Sequence, residues 1–134
     1  MKDPRVYLGH ILECALKIES YTKDGQEKFF AEPLIQDAVM RNFEIIGEAT
    51  KRVPSEFRIQ HPELPWPQMA GFRDVLIHDY DDLDLQIIWS TVIKDLPLLR
   101  ASLESFLPPL NELEKEIAGE KTSRNEKQKK DRDA

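Results

Sequence analysis

The chain has 134 residues with a single cysteine, Cys14, five glycines, and no stretch free of Asp, Glu, Lys and Arg longer than nine residues. A lone cysteine makes no internal disulfide, which fits a reducing compartment. The two longest uncharged stretches, residues 64–72 and 85–93, fall far short of the ~20 residues that cross a bilayer. Met1-Lys2-Asp3-Pro4-Arg5 leads into no apolar signal core. Together these absences predict a cytoplasmic protein with no membrane partner. No glycine-rich phosphate loop is present, so ATP binding by that route is not expected. Positive charge is scarce as well: 19 Lys and Arg stand against 25 Asp and Glu, for a net charge of -6. A globally basic nucleic-acid-binding domain is thereby excluded, whereas a local basic patch or a phosphate site shared between two subunits is not.

Leu, Ile, Val and Phe supply 37 of the residues, enough for one packed domain. Residues 1–118 read as that domain. Residues 119–134 carry six basic and four acidic side chains and no large apolar one. They cannot bury enough surface to offset the entropy of ordering, and so read as a charged, disordered tail.

The apolar spacing is helical throughout. Asp3-Pro4 is a cap followed by proline at the first helical position, and Leu8, Ile11, Leu12, Ala15 and Ile18 form the stripe behind it, fading near residues 20–22. A polar loop at 23–26 follows. A second helix starts at Glu32-Pro33 with a stripe of Ile35, Val39, Ile46 and Val53, widened by Ala38, Phe43, Ile45 and Ala49, and closed by Pro54. Residues 55–58 make at most one or two turns among four prolines. A third main helix is expected from about Trp66 to Ile77. Asp81 or Asp82 is expected to cap a fourth, carrying Leu85, Ile88, Val92, Leu96, Leu99, Leu103 and Phe106, with Pro97 kinking or dividing it. Residues 111–117 add a short turn. The expected fold is all-α, an up-and-down bundle of four to five helices.

Reactive groups concentrate in Arg73-Asp74-Val75-Leu76-Ile77-His78-Asp79-Tyr80. A guanidinium grips two phosphate oxygens and stabilises charge building on phosphorus. An imidazole moves protons near neutrality. Those two groups suffice for RNA cleavage without metal, in which the 2′-hydroxyl attacks its own phosphate. On a continuous helix Arg73 and His78 stand ~140° apart, so either the helix ends before His78 or two subunits assemble the site. By residue type alone, Arg73 equally reads as a partner for a neighbouring carboxylate, and His78 as a helix-end histidine bonded to a carbonyl. Metal is not expected: an EF-hand loop starting at Asp79 would have Leu83 and Asp84 where a polar ligand and glycine are needed, and His10, Cys14, His61 and His78 have no zinc spacing. Arg41-Asn42 flank a cleft or, alternatively, Arg41 makes a surface ion pair with Asp37 or Glu44. Trp66 and Trp89 read as core or dimer anchors.

Arg73, His78 and Tyr80, set in Met69-Ala70-Gly71-Phe72-Arg73-Asp74, resemble the R-x4-H-x-Y signature of the HEPN superfamily, most closely its HepT-like toxin branch. Residues 38–49 resemble that family's second helix, and Trp66 and Ile88-Trp89 also fit. The resemblance, over residues 1–110, implies a HEPN-like helical homodimer that brings two motifs into one cleft. It implies a metal-independent endoribonuclease with no cofactor, neutralised by a separately encoded minimal nucleotidyltransferase antitoxin that transfers AMP onto the motif tyrosine. Arg73 and His78 would then be catalytic and Tyr80 the AMP acceptor, with Asp74, Arg41 and Asn42 supporting or lining the cleft. Asp74 departs from the polar, often asparagine, residue of the family. With the nearby aspartates it would repel RNA unless Arg41, Lys51, Arg52 or Arg58 compensates. The acidic setting therefore favours an alternative, a non-catalytic interaction module that serves a nucleotidyltransferase as AMP acceptor. A further alternative is a regulatory subunit gripping a mononucleotide phosphate through Arg73.

Overall fold

The computed structural model describes residues 3–74 and 84–119. Every regular element among them is a helix: α1 (Pro4–Tyr21), α2 (Gln26–Ala31), α3 (Pro33–Arg52), α4 (Ser55–Gln60), α5 (Trp66–Gly71), α6 (Leu85–Lys94), α7 (Leu96–Phe106), and α8 at residues 110–119. The all-α expectation holds among the described residues. The bundle itself is α1, α3, α5, the α6–α7 pair and α8. No helix of the described residues is long and apolar enough to cross a membrane.

Helix α1 starts as its first residues dictate. The Asp3 carboxylate accepts from the Arg5 N–H at 2.9 Å, and Pro4 takes the first helical position, where no amide hydrogen is needed. All five residues of its expected stripe are buried. They pack against α3, which buries Val39, Phe43, Ile46 and Ala49, with the buried Val53 just past its end. Each such aliphatic or aromatic side chain contributes about 1.5–3 kcal/mol on leaving water. Ile35, Ala38 and Ile45 are only half-buried, on the edges of the stripe.

The α6–α7 pair closes the core with Ile88, Val92, Leu96, Leu99 and Leu103. Pro97 sits in the first turn of α7, and Asp95 lies between the two helices, so the expected fourth helix is divided there. Two arginines tie the bundle's ends. Arg100 Nε donates to Glu19 Oε1 at 2.7 Å, joining α7 to α1, and Arg5 donates to Glu116 Oε2 at 3.1 Å, joining α1 to α8.

Four expectations are corrected. The polar loop after α1 gives way after Gly25 to α2, which carries the fully buried Phe29 against Trp89, ring centroids 5.2 Å apart. Gly25, at φ +98°, makes the reversal that lets so short a helix fold back. The cap of α6 is Asp84, whose Oδ1 accepts from Gln86 N at 2.9 Å, because the helix begins later than Asp81 or Asp82 would allow. The short turn at 111–117 is the longer α8, held by the buried Leu113. Finally, the α-helix from Trp66 ends at Gly71, not Ile77, and residues 72 and 73 form a turn. The stretch 75–83 and the tail from 120 onward lie outside the described residues.

Both tryptophans anchor structure. Trp66 Nε1 donates to the His61 carbonyl at 2.8 Å, fixing the link between α4 and α5, while Trp89 covers Phe29. Cys14 is buried, and burial raises its thiol pKa, the nearby Lys17 ammonium opposing the shift. A raised folded-state pKa means that the neutral thiol's contribution to stability is complete below the ordinary thiol range and is lost as pH rises through it. At pH 8 the folded protein should therefore leave Cys14 unmodified by iodoacetamide on the timescale that alkylates it fully in denaturant, as read by intact mass.

Candidate active site

The described half of the reactive cluster is held on α3. Met69 within α5 is fully buried, and Phe72 just after it is 2% exposed. Phe72 stacks on Phe43 of α3, ring centroids 5.3 Å apart and planes 18° from parallel. Arg73 follows directly and lies against Gly47, one turn beyond Phe43. A Cβ built on Gly47 would meet the Arg73 Cβ at 2.6 Å and the Arg73 backbone nitrogen at 3.2 Å. Arg73 is half-buried and Asp74 exposed. Among the described residues, no carboxylate lies within ion-pair distance of the Arg73 guanidinium. Its stem is thus fixed by packing, not by a salt bridge to these residues. His78 and Tyr80 lie outside the described residues.

The other expected site residues fall in distinct places. Arg41 is exposed on α3 and pairs with Glu44 at 3.4 Å, a contact of the surface kind that contributes little. It precedes Gly47 by six residues, which is ~120° around the helix, whereas Lys51 follows by four, ~40° away. Asn42 is only 7% exposed, and its amide donates to the Ala38 carbonyl at 2.8 Å. The buried Thr50 and Thr91 likewise bond the carbonyl four residues back, at 2.7 and 2.9 Å. These polar side chains are satisfied within their own helices. Of the cations able to offset the aspartates, Arg58 is committed: its guanidinium donates to the carbonyls of Val53 and Lys51, closing the end of α3. Lys51 and Arg52 are exposed, and Arg52 lines a cavity of about 140 Å³ with Tyr7, His10 and Glu48.

Arg73 is thus seated on α3 with no ion pair to a described residue, and comparison with known proteins adds the family. Residues 11–106 match the family model described as Ribonuclease HepT-like. The chain belongs to the HepT-like ribonuclease family. It is 47% identical over 115 residues to the Methanocaldococcus jannaschii "Gamma-glutamylcyclotransferase and putative RNase MJ0434", covering 85% of this chain but only 50% of that longer protein. It is 44% identical over 108 residues to "Putative RNase TTE0752" of Caldanaerobacter subterraneus subsp. tengcongensis, covering 80% of this chain and 96% of the relative. To "Probable ribonuclease HepT" of Thermococcus cleftensis it is 43% identical over 101 residues, 75% of this chain and 92% of that one. No solved structure matches the chain significantly.

Within this HepT-like chain, Gly47 and the Phe43–Phe72 stack are contributors that residue chemistry alone overlooks, since none titrates or binds. Gly47 did leave a signal: a glycine inside a strong helix, about 0.5–1 kcal/mol worse there than alanine, marks a close backbone approach. Replacing Phe72 with alanine should cost about 3–5 kcal/mol in urea denaturation, whereas leucine, which keeps most of the buried volume, should cost about 1.5 kcal/mol or less.

Proposed function

We propose that this ribonuclease-family chain is a toxin that cuts RNA internally and without metal. The observation that carries the reading is the family match combined with an Arg73 stem seated on α3 and unpaired with any described carboxylate. Arg73 holds the scissile phosphate and stabilises the charge that builds on its oxygens. His78 moves the protons: the 2′-oxygen gives up its hydrogen as it bonds phosphorus, and the departing 5′-oxygen receives one. The products are a 2′,3′-cyclic phosphate and a free 5′-hydroxyl. Two copies of the chain pair so that both motifs share one cleft. The resemblance that names these roles also supplies the control. A nucleotidyltransferase antitoxin transfers AMP from ATP to the Tyr80 oxygen, which gives up its proton as pyrophosphate leaves, bringing bulk and negative charge to a site built for an RNA phosphate.

The test is RNA cleavage by the purified, unmodified protein in excess chelator, beside Arg73→Ala and His78→Ala. The wild type should cut and leave cyclic-phosphate ends, and both variants should lose at least about 100-fold in rate, the scale of a lost acid–base or charge-stabilising group. Full cleavage by both variants would sink the assignment. If no protein cleaves RNA, the chain is the interaction module instead. Intact mass after co-expression with the nucleotidyltransferase would then read its acceptor role: one adenylate added to the wild type and none to Tyr80→Phe.

A further inference from the structure

We propose that Gly47 is the positioning residue for Arg73: the missing side chain at this point of α3 sets where the guanidinium stem begins. The catalytic half of this inference rests on the ribonuclease reading above, while the packing half stands without it.

The crowding involves atoms that cannot swing away. A Cβ on Gly47 would sit 2.6 Å from the Arg73 Cβ, 3.2 Å from its nitrogen and 3.4 Å from its Cα. Two of these are backbone atoms, and the third is fixed to the backbone. Relief therefore requires the turn after α5 to back off α3. The residue next door resists that movement, because Phe72 is 2% exposed and stacked on Phe43, one turn before Gly47. The stack and the bare backbone act as two adjacent pins, one apolar and attractive, the other a space that must stay empty. With the stack held, any side chain at position 47 tilts Arg73 outward, and the guanidinium at the end of its long stem is displaced by more than the Cβ is.

The surroundings fit a role for this one position. Gly9, the other described glycine in a helix interior with a near neighbour, would place its Cβ 3.2 Å from the tip of the Leu113 side chain, not from backbone. Gly71 and Gly119 meet nothing within 4 Å. Only at Gly47, among the described glycines, does the approach involve another residue's main chain.

A double-mutant cycle tests both halves. Alanine is the better helix former, so at a glycine of no packing importance Gly47→Ala would raise the melting temperature. Here it should lower it by about 5 °C. In an Arg73→Gly background, where the 2.6 Å partner is absent, the same substitution should shift melting by less than half as much. In RNA cleavage, Gly47→Ala should reduce kcat by roughly 100-fold, the scale of a catalytic group misplaced by about 1 Å, with KM little changed and with no further loss when added to Arg73→Gly. A rise in melting temperature, or equal shifts in the two backgrounds, would overturn the packing assignment. Coupled melting shifts beside undiminished cleavage would overturn the positioning role. Coupled shifts in a protein that never cleaves RNA would leave the packing half established and remove the ribonuclease reading instead. Should Gly47→Ala alone fail to fold, recovery in the Arg73→Gly background supports the assignment, and failure of both overturns it.

Discussion

Helix α3 has to serve α1 and α5 at once, besides carrying the short α2, and most of the molecule follows from how it does so. Toward α1, with its buried stripe of Leu8, Ile11, Leu12, Ala15 and Ile18, it makes the larger packing, and along its length it buries Val39, Phe43, Ile46 and Ala49. Toward α5 it offers something different: one aromatic ring and then no side chain at all, Phe43 and Gly47. A helix buried on a single face needs a stripe about 100° wide. The wider burial of α3 exceeds that, which is why Asn42 and Thr50 are drawn inside with the apolar residues. Each is made tolerable by returning its donor to the carbonyl four residues back. Without those bonds each buried donor would cost about 1–3 kcal/mol.

The consequence for the site is a division of labour between rigid scaffold and chemistry. Among the described residues, nothing grips the Arg73 guanidinium itself, and Asp74 beside it is exposed. What is fixed is the start of the stem, through Phe72 and the Gly47 contact. On the proposed ribonuclease reading, a guanidinium held through its backbone and unpaired with the described carboxylates keeps its donors for an incoming phosphate. Strong pairing to a neighbour would hold it equally still but would spend the same donors.

How much of this was legible in the sequence depends on the length scale of the signal. Long amphipathic stretches were readable because each repeats its pattern over several turns: all five stripe residues of α1 are buried, and Pro97 divides α6 from α7. Short elements were not. The six residues of α2 contain a single fully buried side chain, Phe29, whose partner Trp89 lies sixty residues away and cannot be inferred from local spacing. The α6 cap slipped from Asp81 or Asp82 to Asp84 because a run of aspartates offers several caps of equal merit, and only the start of the packed face at Leu85 chooses among them. The end of α5 was missed for a related reason. The run from Trp66 to Ile77 has enough helix formers to continue, and nothing in its local spacing marks the α-helix's end at Gly71, next to the Phe72 ring stacked on Phe43.

The candidate site's reactive groups stand out in the sequence, whereas its supports do not. Arg73, His78 and Tyr80 announce themselves because guanidinium, imidazole and phenol are scarce and chemically distinct, so their spacing is informative even on one chain. Supports are the reverse: Phe43, Phe72 and Gly47 are residue types found anywhere in a core. What distinguishes Gly47 is a conflict between levels. Local propensity asks for alanine in the middle of α3, and the tertiary contact forbids it. Places where local preference and global packing disagree are where a fold gives up stability for geometry. In this chain the disagreement falls directly beneath the arginine of the motif.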